Sequence, residues 1–161
     1  MHQARTPPAD LPRSARLEAL QEEMRALIGG EDDAISAMAN AAALLHQALS
    51  MHWTGFYRVV GDGLLLGPFQ GPVACVRITK GRGVCGTAWA EERSIVVPDV
   101  DLFPGHIACS PLSRSEIVVP LRGKDGRVAA VLDIDSAEPG AFTEEDARAL
   151  ERMMRPLEDL L

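Results

Sequence analysis

The segment EIVVPLRGKDGRVAAVLDIDS, residues 116–136, decides the fold. It contains an apolar run (116–121), a polar turn with two glycines, and a second apolar run (128–136). Strand-forming runs joined by a short glycine-containing turn are typical of a β-hairpin. The segment therefore predicts two antiparallel strands, and the rest of the chain must supply the elements that cover them.

Acidic residues alternate with apolar residues at the end of this hairpin. Because side chains alternate between the faces of a strand, Asp133 and Asp135 share one face, while Leu132 and Ile134 lie on the other. In the simplest hairpin register, residues near 116 and near 135 lie across from one another, which brings Glu116 close to the two aspartates. Three carboxylates would then converge at one end of a sheet. Like charges so close resist ionising together, so at least one should keep its proton near neutral pH.

Three interpretations of these carboxylates remain open. They can form the solvated face of a half-buried antiparallel sheet, which is a common arrangement. They can hold Mg²⁺ or Ca²⁺, which prefer carboxylate oxygens. They can also donate a proton to a polarised oxygen on a ligand, since a protonated carboxyl is a hydrogen-bond donor.

Helical periodicity flanks the strand-like segments. Two N-terminal segments carry apolar residues at helical spacing, the first ending at Gly29-Gly30 and the second spanning 31–52. A last helix is predicted to begin at Thr143, which forms a capping pair with Asp146. Further strands are predicted over 53–60, 64–69, 74–78 and 94–100, a helix within 80–93, and a long loop over 101–115.

This order of elements predicts a single α+β domain over residues 10–161, preceded by a flexible tail over 1–9. About six short strands, mostly joined by hairpins, should form a mostly antiparallel sheet. The N- and C-terminal helices should pack on one face of that sheet.

The composition excludes several classes of protein. The chain has 161 residues, of which 47% are hydrophobic and 24% charged, as expected for one globular domain. No apolar run approaches the roughly 20 residues of a membrane-spanning helix, and the N-terminus lacks the apolar region of a secretory signal. A net charge of −7 argues against a nucleic-acid partner. We therefore expect a cytoplasmic protein that binds neither membrane nor nucleic acid.

The three cysteines, Cys75, Cys85 and Cys109, are too few for a disulfide scaffold and lack the CxxC spacing of a zinc ribbon. Cys109 lies in the predicted loop, seven residues before Glu116, so this loop can fold back over the carboxylates.

The other two cysteines each have two interpretations. Cys75 falls in a predicted apolar strand, where burial as a small hydrophobic residue is the simpler interpretation. Cys85 lies near the start of a predicted helix, where the helix dipole can lower the pKa of a thiol, or where a small residue is simply needed for packing. His106 can assist a thiolate, or be satisfied by other partners or by solvent.

Trp53 and Tyr57 are four residues apart on a predicted strand and therefore lie on the same face. They can form ordinary core packing or an aromatic wall for an apolar or cationic group of a ligand.

These motifs together resemble the free methionine-(R)-sulfoxide reductases, a family built on a GAF domain. The resemblance covers about residues 53–145 and includes the spacing of the three cysteines. It rests on WTGFY (53–57), LGPFQGPVACVRI (66–78), GRGVCGTAWA (81–90), GHIACSPLSRSEIVVPL (105–121) and VLDIDS (131–136).

The resemblance implies a redox cycle of thiols. Cys109 is the implied nucleophile that attacks the sulfoxide sulfur of free methionine-(R)-sulfoxide and becomes a sulfenic acid. Cys75 is implied to resolve it to a disulfide that thioredoxin reduces, while Cys85 is implied to be an alternative resolving thiol or a relay to the reductant.

The resemblance also implies the binding residues. Glu116, Asp133 and Asp135 are implied to bind and protonate the sulfoxide oxygen, and Trp53 and Tyr57 to surround the S-methyl end. Neither a metal nor another cofactor is implied, and the family suggests a homodimer.

Two alternatives come from other functional classes. A GAF domain can be a regulatory module that senses a small ligand, although no second domain is expected in this chain. The same cysteines can also serve a thiol redox sensor that has no substrate.

Overall fold

The computed structural model describes residues 5–8, 10–107 and 109–161. Residues 1–4 and 9 of the predicted tail lie outside the described residues, so the limits of tail and domain stay a prediction. The helices are α1 (Arg13–Ile28), α2 (Ala34–Leu49), α3 (Gly83–Glu91) and α4 (Glu144–Glu158). The strands are β1 (Trp53–Val60), β2 (Gly63–Gln70), β3 (Arg77–Thr79), β4 (Ile95–Val97), β5 (Ser115–Arg122) and β6 (Val128–Ser136), and a short 3₁₀ turn covers Val100–Leu102.

The strands form one six-stranded sheet in the order β3-β2-β1-β6-β5-β4. Every neighbouring pair of strands is antiparallel. The predicted α+β class, the strand number and both hairpins, β1–β2 and β5–β6, are confirmed. The pairing of β1 with β6 is the long-range step, because it joins the two hairpins into one sheet.

The third strand was predicted over 74–78, and this prediction is wrong at both ends. Only Arg77–Thr79 pair with β2, so Cys75 lies in the loop before β3 instead of inside an apolar strand. Two contacts hold Cys75 in the loop: a disulfide to Cys109, and a hydrogen bond that its carbonyl accepts from the Tyr57 hydroxyl at 2.9 Å.

Side-chain alternation divides the core between the two faces of the sheet. Leu132 and Ile134 of β6 join the apolar residues of α1, α2 and α4 on one face. Val131 joins Cys85 and other residues of α3 on the opposite face. The terminal helices therefore pack on one face, as predicted, and α3 covers the other.

The last helix begins as its sequence predicts. The Thr143 hydroxyl accepts a hydrogen bond from the Asp146 backbone, and the Asp146 carboxylate accepts one from the Thr143 backbone, completing a capping box. The guanidinium of Arg13 donates to the same carboxylate at 2.6 Å, which ties α1 to the start of α4. Among the described residues, no helix has both the length and the apolar character needed to cross a membrane.

Candidate active site

Three carboxylates converge on the face of the sheet that α3 covers. Glu116 of β5 pairs directly with Asp135 of β6, and Val118 pairs with Asp133, so the predicted register is confirmed. Glu116 and Asp133 are each only 6% exposed. The interpretation of these residues as a solvated sheet face is therefore wrong, because the polar ends of the strands lie under a lid of other residues.

Burial and mutual repulsion keep protons on this cluster. Burial raises the pKa of Glu116 and of Asp133 well above the ordinary values, and the charge of Asp135 raises both further. Burial also raises the pKa of Asp135 to about 6, although a hydrogen bond from Ser113 and the nearby His106 act in the opposite direction. The three groups titrate as a set, and the set holds at least one proton near neutral pH.

The loop over residues 103–114, here called the lid loop, carries Cys109 to these carboxylates. Cys109 and Cys75 form a disulfide with their Cα atoms 5.6 Å apart. Cys109 lines a cavity of about 40 Å³ together with Glu116, Asp133 and Asp135. The lid loop is anchored where Ser110 Oγ lies 2.9 Å from His52 Nε2. The long loop in the sequence thus closes the end of the sheet where the carboxylates meet.

Cys85 is the free cysteine of the three, and it lies in the first turn of α3, buried against the carboxylates. Its Sγ and one oxygen each of Glu116 and Asp133 lie within 4.8 Å of one another. Burial raises the pKa of Cys85 well above its ordinary value, and the charges of Asp133 and Glu116 raise it further. The expectation that the helix dipole lowers this pKa is wrong, because desolvation and nearby carboxylates outweigh the dipole.

An aromatic wall lies beside the cluster. Trp53 stacks on Tyr57 with ring centroids 6.0 Å apart and on Phe69 at 5.3 Å. The Trp53 indole N–H donates to the Pro72 carbonyl at 3.1 Å. Trp53 and Tyr57 both line the cavity and both belong to the apolar core of this face, so core packing of the pair is confirmed and contact with a ligand stays a prediction.

The lack of a side chain at Gly55 allows the Trp53 indole to lie beside the cavity. Gly55 lies opposite Asp133 in the β1–β6 register. A Cβ built at Gly55 would lie 2.4 Å from Phe69 Cβ and 2.6 Å from Trp53 Cη2, closer than atoms can pack. The absence of a side chain therefore lets Trp53 and Phe69 close over the strand beside the cavity.

Sequence reasoning left the role of one polar residue of the site open and missed another. His106 Nε2 lies 3.5 Å from Glu116 Oε2, with both side chains largely buried. Ser113 is buried and hydrogen-bonds to Asp135. The position of His106 three residues before Cys109 was a usable signal, since the lid loop that delivers the thiol also delivers the imidazole. The sequence does not indicate a role for Ser113, because serine is common in loops.

The donor set of the site bears on metals as well. Cys85, Glu116 and Asp133 are the described residues close enough together to share a metal ion. A thiol next to two carboxylates fits a borderline-soft cation better than Mg²⁺ or Ca²⁺, which prefer all-oxygen sites. The magnesium or calcium interpretation of the carboxylates therefore loses support.

Comparisons with known proteins agree with this geometry. The chain matches the GAF domain family over residues 30–161. It is 48% identical over 143 residues to the free methionine-R-sulfoxide reductase of Escherichia coli, covering 88% of this chain and 86% of that protein. The free methionine-R-sulfoxide reductase of Neisseria meningitidis, solved with its substrate, superposes with a TM-score of 0.94 at 46% identity, covering 99% of this chain and 95% of that one.

The reduced form of the Staphylococcus aureus protein fRMsr superposes with a TM-score of 0.87 at 40% identity, covering 99% of each chain. These likenesses span nearly the whole chain, and the predicted GAF domain is confirmed. The chain belongs to the free methionine-(R)-sulfoxide reductases, a family of oxidoreductases built on a GAF domain.

Proposed function

We propose that this protein reduces free L-methionine-(R)-S-oxide to methionine, with Cys109 as the nucleophile. One observation carries the proposal: Cys109, which forms a disulfide with Cys75, lines the same cavity as the three carboxylates, and this set holds at least one proton near neutral pH. A sulfoxide reductase needs this combination, because a thiol must attack sulfur while an acid protonates oxygen. Relatives named for this activity, two of them solved with substrate, support it.

The carboxylates supply the acid. Sulfoxide sulfur becomes electrophilic as its oxygen gains a proton, and acid catalysis of this kind contributes roughly 10²–10⁴ in rate. Glu116 and Asp133 are the most deeply buried members of the cluster, so we assign them the protons that hydrogen-bond to the oxygen. Asp135, with a pKa of about 6, is the member whose charge changes near neutral pH.

Cys109 sulfur bonds to the sulfoxide sulfur as the oxygen is protonated, and the oxygen then passes to Cys109. Methionine leaves as a thioether and Cys109 is left as a sulfenic acid. The sulfur of the substrate is reduced by two electrons, and Cys109 is oxidised by two.

Cys75 resolves the sulfenic acid. Its thiolate attacks Cys109 sulfur, the hydroxyl leaves as water after protonation, and the disulfide forms. The Cα separation of 5.6 Å in the bonded pair lies within the range of ordinary disulfides. We propose thioredoxin as the reductant, which returns two electrons by thiol–disulfide exchange.

Substrate binding requires the lid loop to open. A cavity of about 40 Å³ holds about three water molecules, too little for a whole amino acid. The disulfide pins Cys109 to Cys75 and so keeps this closed form. Reduction frees the lid loop, and Trp53 and Tyr57 then accept the S-methyl end against their rings.

The thiol cycle requires a reducing compartment, which supports our proposal of a cytoplasmic protein. Since catalysis uses free thiols and protons, we propose no metal and no other cofactor for the reaction. A homodimer remains a prediction, which light scattering coupled to size-exclusion chromatography tests.

The decisive experiment couples thioredoxin and its reductase to NADPH oxidation with free methionine-(R)-sulfoxide. Wild-type protein should consume NADPH, and Cys109→Ser should abolish this consumption. The S-sulfoxide and a peptide-bound sulfoxide are the substrate controls, and both should stay unreacted. Binding of the R-sulfoxide without any turnover by the wild type would instead indicate a small-ligand sensor.

A further inference from the structure

A thiol and two carboxylates converge on the face of the sheet that α3 covers. Cys85 Sγ and one oxygen each of Glu116 and Asp133 lie within 4.8 Å of one another, and all three side chains are buried. A second observation points to a ligand: Asp133 Oδ1 is buried and has no hydrogen-bond partner among the described residues. Leaving such an oxygen unpaired costs free energy, so protons or a cation must compensate the cluster.

We propose that this cluster is an inhibitory binding site for Zn²⁺ or a closely similar divalent cation, with Cys85, Glu116 and Asp133 as its ligands. One sulfur and two carboxylate oxygens suit Zn²⁺, which takes both ligand types at about 2.0–2.3 Å. Tetrahedral geometry at those bond lengths sets ligand atoms about 3.3–3.8 Å apart. Small side-chain movements bring the three atoms to that spacing.

The fourth position lies towards the lid loop. His106 Nε2 is 3.5 Å from Glu116 Oε2, which is the spacing of two neighbouring ligands around one zinc ion. His106 is carried by the lid loop, so a shift of that loop brings the imidazole to the cation. Water fills the position otherwise, as in zinc sites with three protein ligands.

The inhibition, though not the binding, rests on the proposed function. Cation binding requires the Cys85 thiolate and ionised carboxylates, so the thiol proton and the carboxyl protons pass to solvent. Cys85, Glu116 and Asp133 all line the cavity that we assign to the substrate, so a cation held by them occupies the place of the sulfoxide oxygen. The cation and the substrate therefore exclude each other.

The test uses a Cys75→Ser/Cys109→Ser variant, in which Cys85 is the one thiol left of the three cysteines. Titration with Cd²⁺ should produce the ultraviolet charge-transfer absorption of a cadmium–thiolate bond, saturating at one ion per chain, and Zn²⁺ should displace it. The band should disappear when Cys85→Ser is added. A double variant that shows no such band overturns the proposal.

Further variants separate this site from surface binding. Asp133→Asn should lower the Zn²⁺ affinity of the double variant by at least about tenfold, since even outer partners of a metal site contribute that much. His46→Gln is the matched control, because His46 lies on α2 and packs towards the opposite face of the sheet. Equal affinities in Asp133→Asn and its parent would contradict the assigned ligands.

The double variant also tests mutual exclusion, because it lacks the proposed nucleophile and cannot turn the substrate over. Free methionine-(R)-sulfoxide should weaken Cd²⁺ binding in proportion to its concentration. A Cys85-dependent band that the sulfoxide leaves unchanged would contradict inhibition by overlap. Failure of the proposed function is recognised separately, by the absence of NADPH-coupled turnover in wild-type protein without added metal.

Discussion

Glu116 and Asp135 are directly paired across β5 and β6, and both line the cavity that the lid loop closes. Asp133 follows two residues before Asp135 on the same face, so repulsion within this trio adds to the cost of burial. Because the three carboxyl groups are buried close together under the lid loop, the set stays partly protonated at neutral pH. Ionisation of these buried groups lowers the stability of the folded protein.

Stability should therefore fall as pH rises. Between the ordinary pKa of 3.8 and the raised pKa of about 6, folded Asp135 keeps a proton that the unfolded chain has released. The folded state thus binds more protons in this window, and the free energy of unfolding decreases with pH. The loss at Asp135 amounts to about 3 kcal/mol, since one pKa unit corresponds to about 1.4 kcal/mol.

Asp135→Asn should remove much of that slope, which urea denaturation from pH 4 to 8 measures. Asp125→Asn is the matched control, because Asp125 is exposed in the β5–β6 turn and should leave the wild-type slope unchanged. A slope as steep in Asp135→Asn as in wild type would show that Asp135 does not carry the raised pKa. The same variant should reduce turnover while the fold persists.

His106, which lies on the lid loop, should lower the pKa of the neighbouring carboxyl groups. Its Nε2 lies 3.5 Å from Glu116, and its charge lowers the pKa of Asp135. His106→Gln should therefore raise the pKa of Asp135 and move the pH dependence of kcat/KM to higher pH. We also expect kcat/KM to fall about tenfold, which corresponds to a loss of about 1.4 kcal/mol of transition-state stabilisation.

The control for this prediction is His46→Gln, on α2, which should keep the wild-type pH profile. A purely structural role of His106 would lower activity equally at every pH. Steady-state kinetics between pH 5 and 9 therefore separates the two roles, and an unshifted profile in His106→Gln would count against the assignment.

The aromatic wall should depend on the missing side chain at Gly55. A methyl group there would lie 2.6 Å from Trp53 Cη2 and 2.4 Å from Phe69 Cβ, so one ring must move. Gly55→Ala should raise the KM for free methionine-(R)-sulfoxide and lower the free energy of unfolding by roughly 1–3 kcal/mol, as overpacking usually does. Trp fluorescence and kinetics report the two effects.

Gly63→Ala is the matched control on the same hairpin. Its added Cβ would approach only the Ile78 carbonyl oxygen at 3.5 Å, an ordinary contact. We expect KM within twofold of wild type in Gly63→Ala. An equal change of KM in both variants would show that the hairpin as a whole, and not the position of the indole, determines substrate affinity.

Local patterns were enough to predict the sheet and most of its site. The hairpin and helix patterns predicted the strands and helices, and the alternation of Asp133 with Leu132 predicted the face on which the carboxylates lie. These patterns depend only on residues that are neighbours along the chain. The register that opposes Glu116 to Asp135 followed from a short turn.

Residues governed by contacts distant in sequence could not be predicted this way. The pKa of Cys85 depends on burial against Asp133, which outweighs its position in the first turn of α3. Cys75 looked like a strand residue because its neighbours are apolar, yet a disulfide 34 residues away in sequence holds it in a loop. Both errors come from using local propensity where tertiary contacts decide.

The assignment of Cys75, and not Cys85, as resolving thiol yields the last prediction. Cys85 is buried with a raised pKa, so little of the attacking thiolate is present at neutral pH. Cys75 already lies within disulfide distance of Cys109. After a single turnover with free methionine-(R)-sulfoxide, peptide mapping should show a Cys75–Cys109 linkage and an alkylatable Cys85.

Single variants distinguish the two thiols further. Cys85→Ser should still form the disulfide, whereas Cys75→Ser should release one methionine per chain, accumulate a sulfenic acid on Cys109 that a dimedone probe captures, and lose thioredoxin-coupled turnover. This follows because the first chemical step needs only Cys109 and the acids, while recycling needs a second accessible thiolate. A Cys85–Cys109 linkage in wild-type protein would reverse the assignment, since it would require the buried thiol to leave the carboxylates during each cycle.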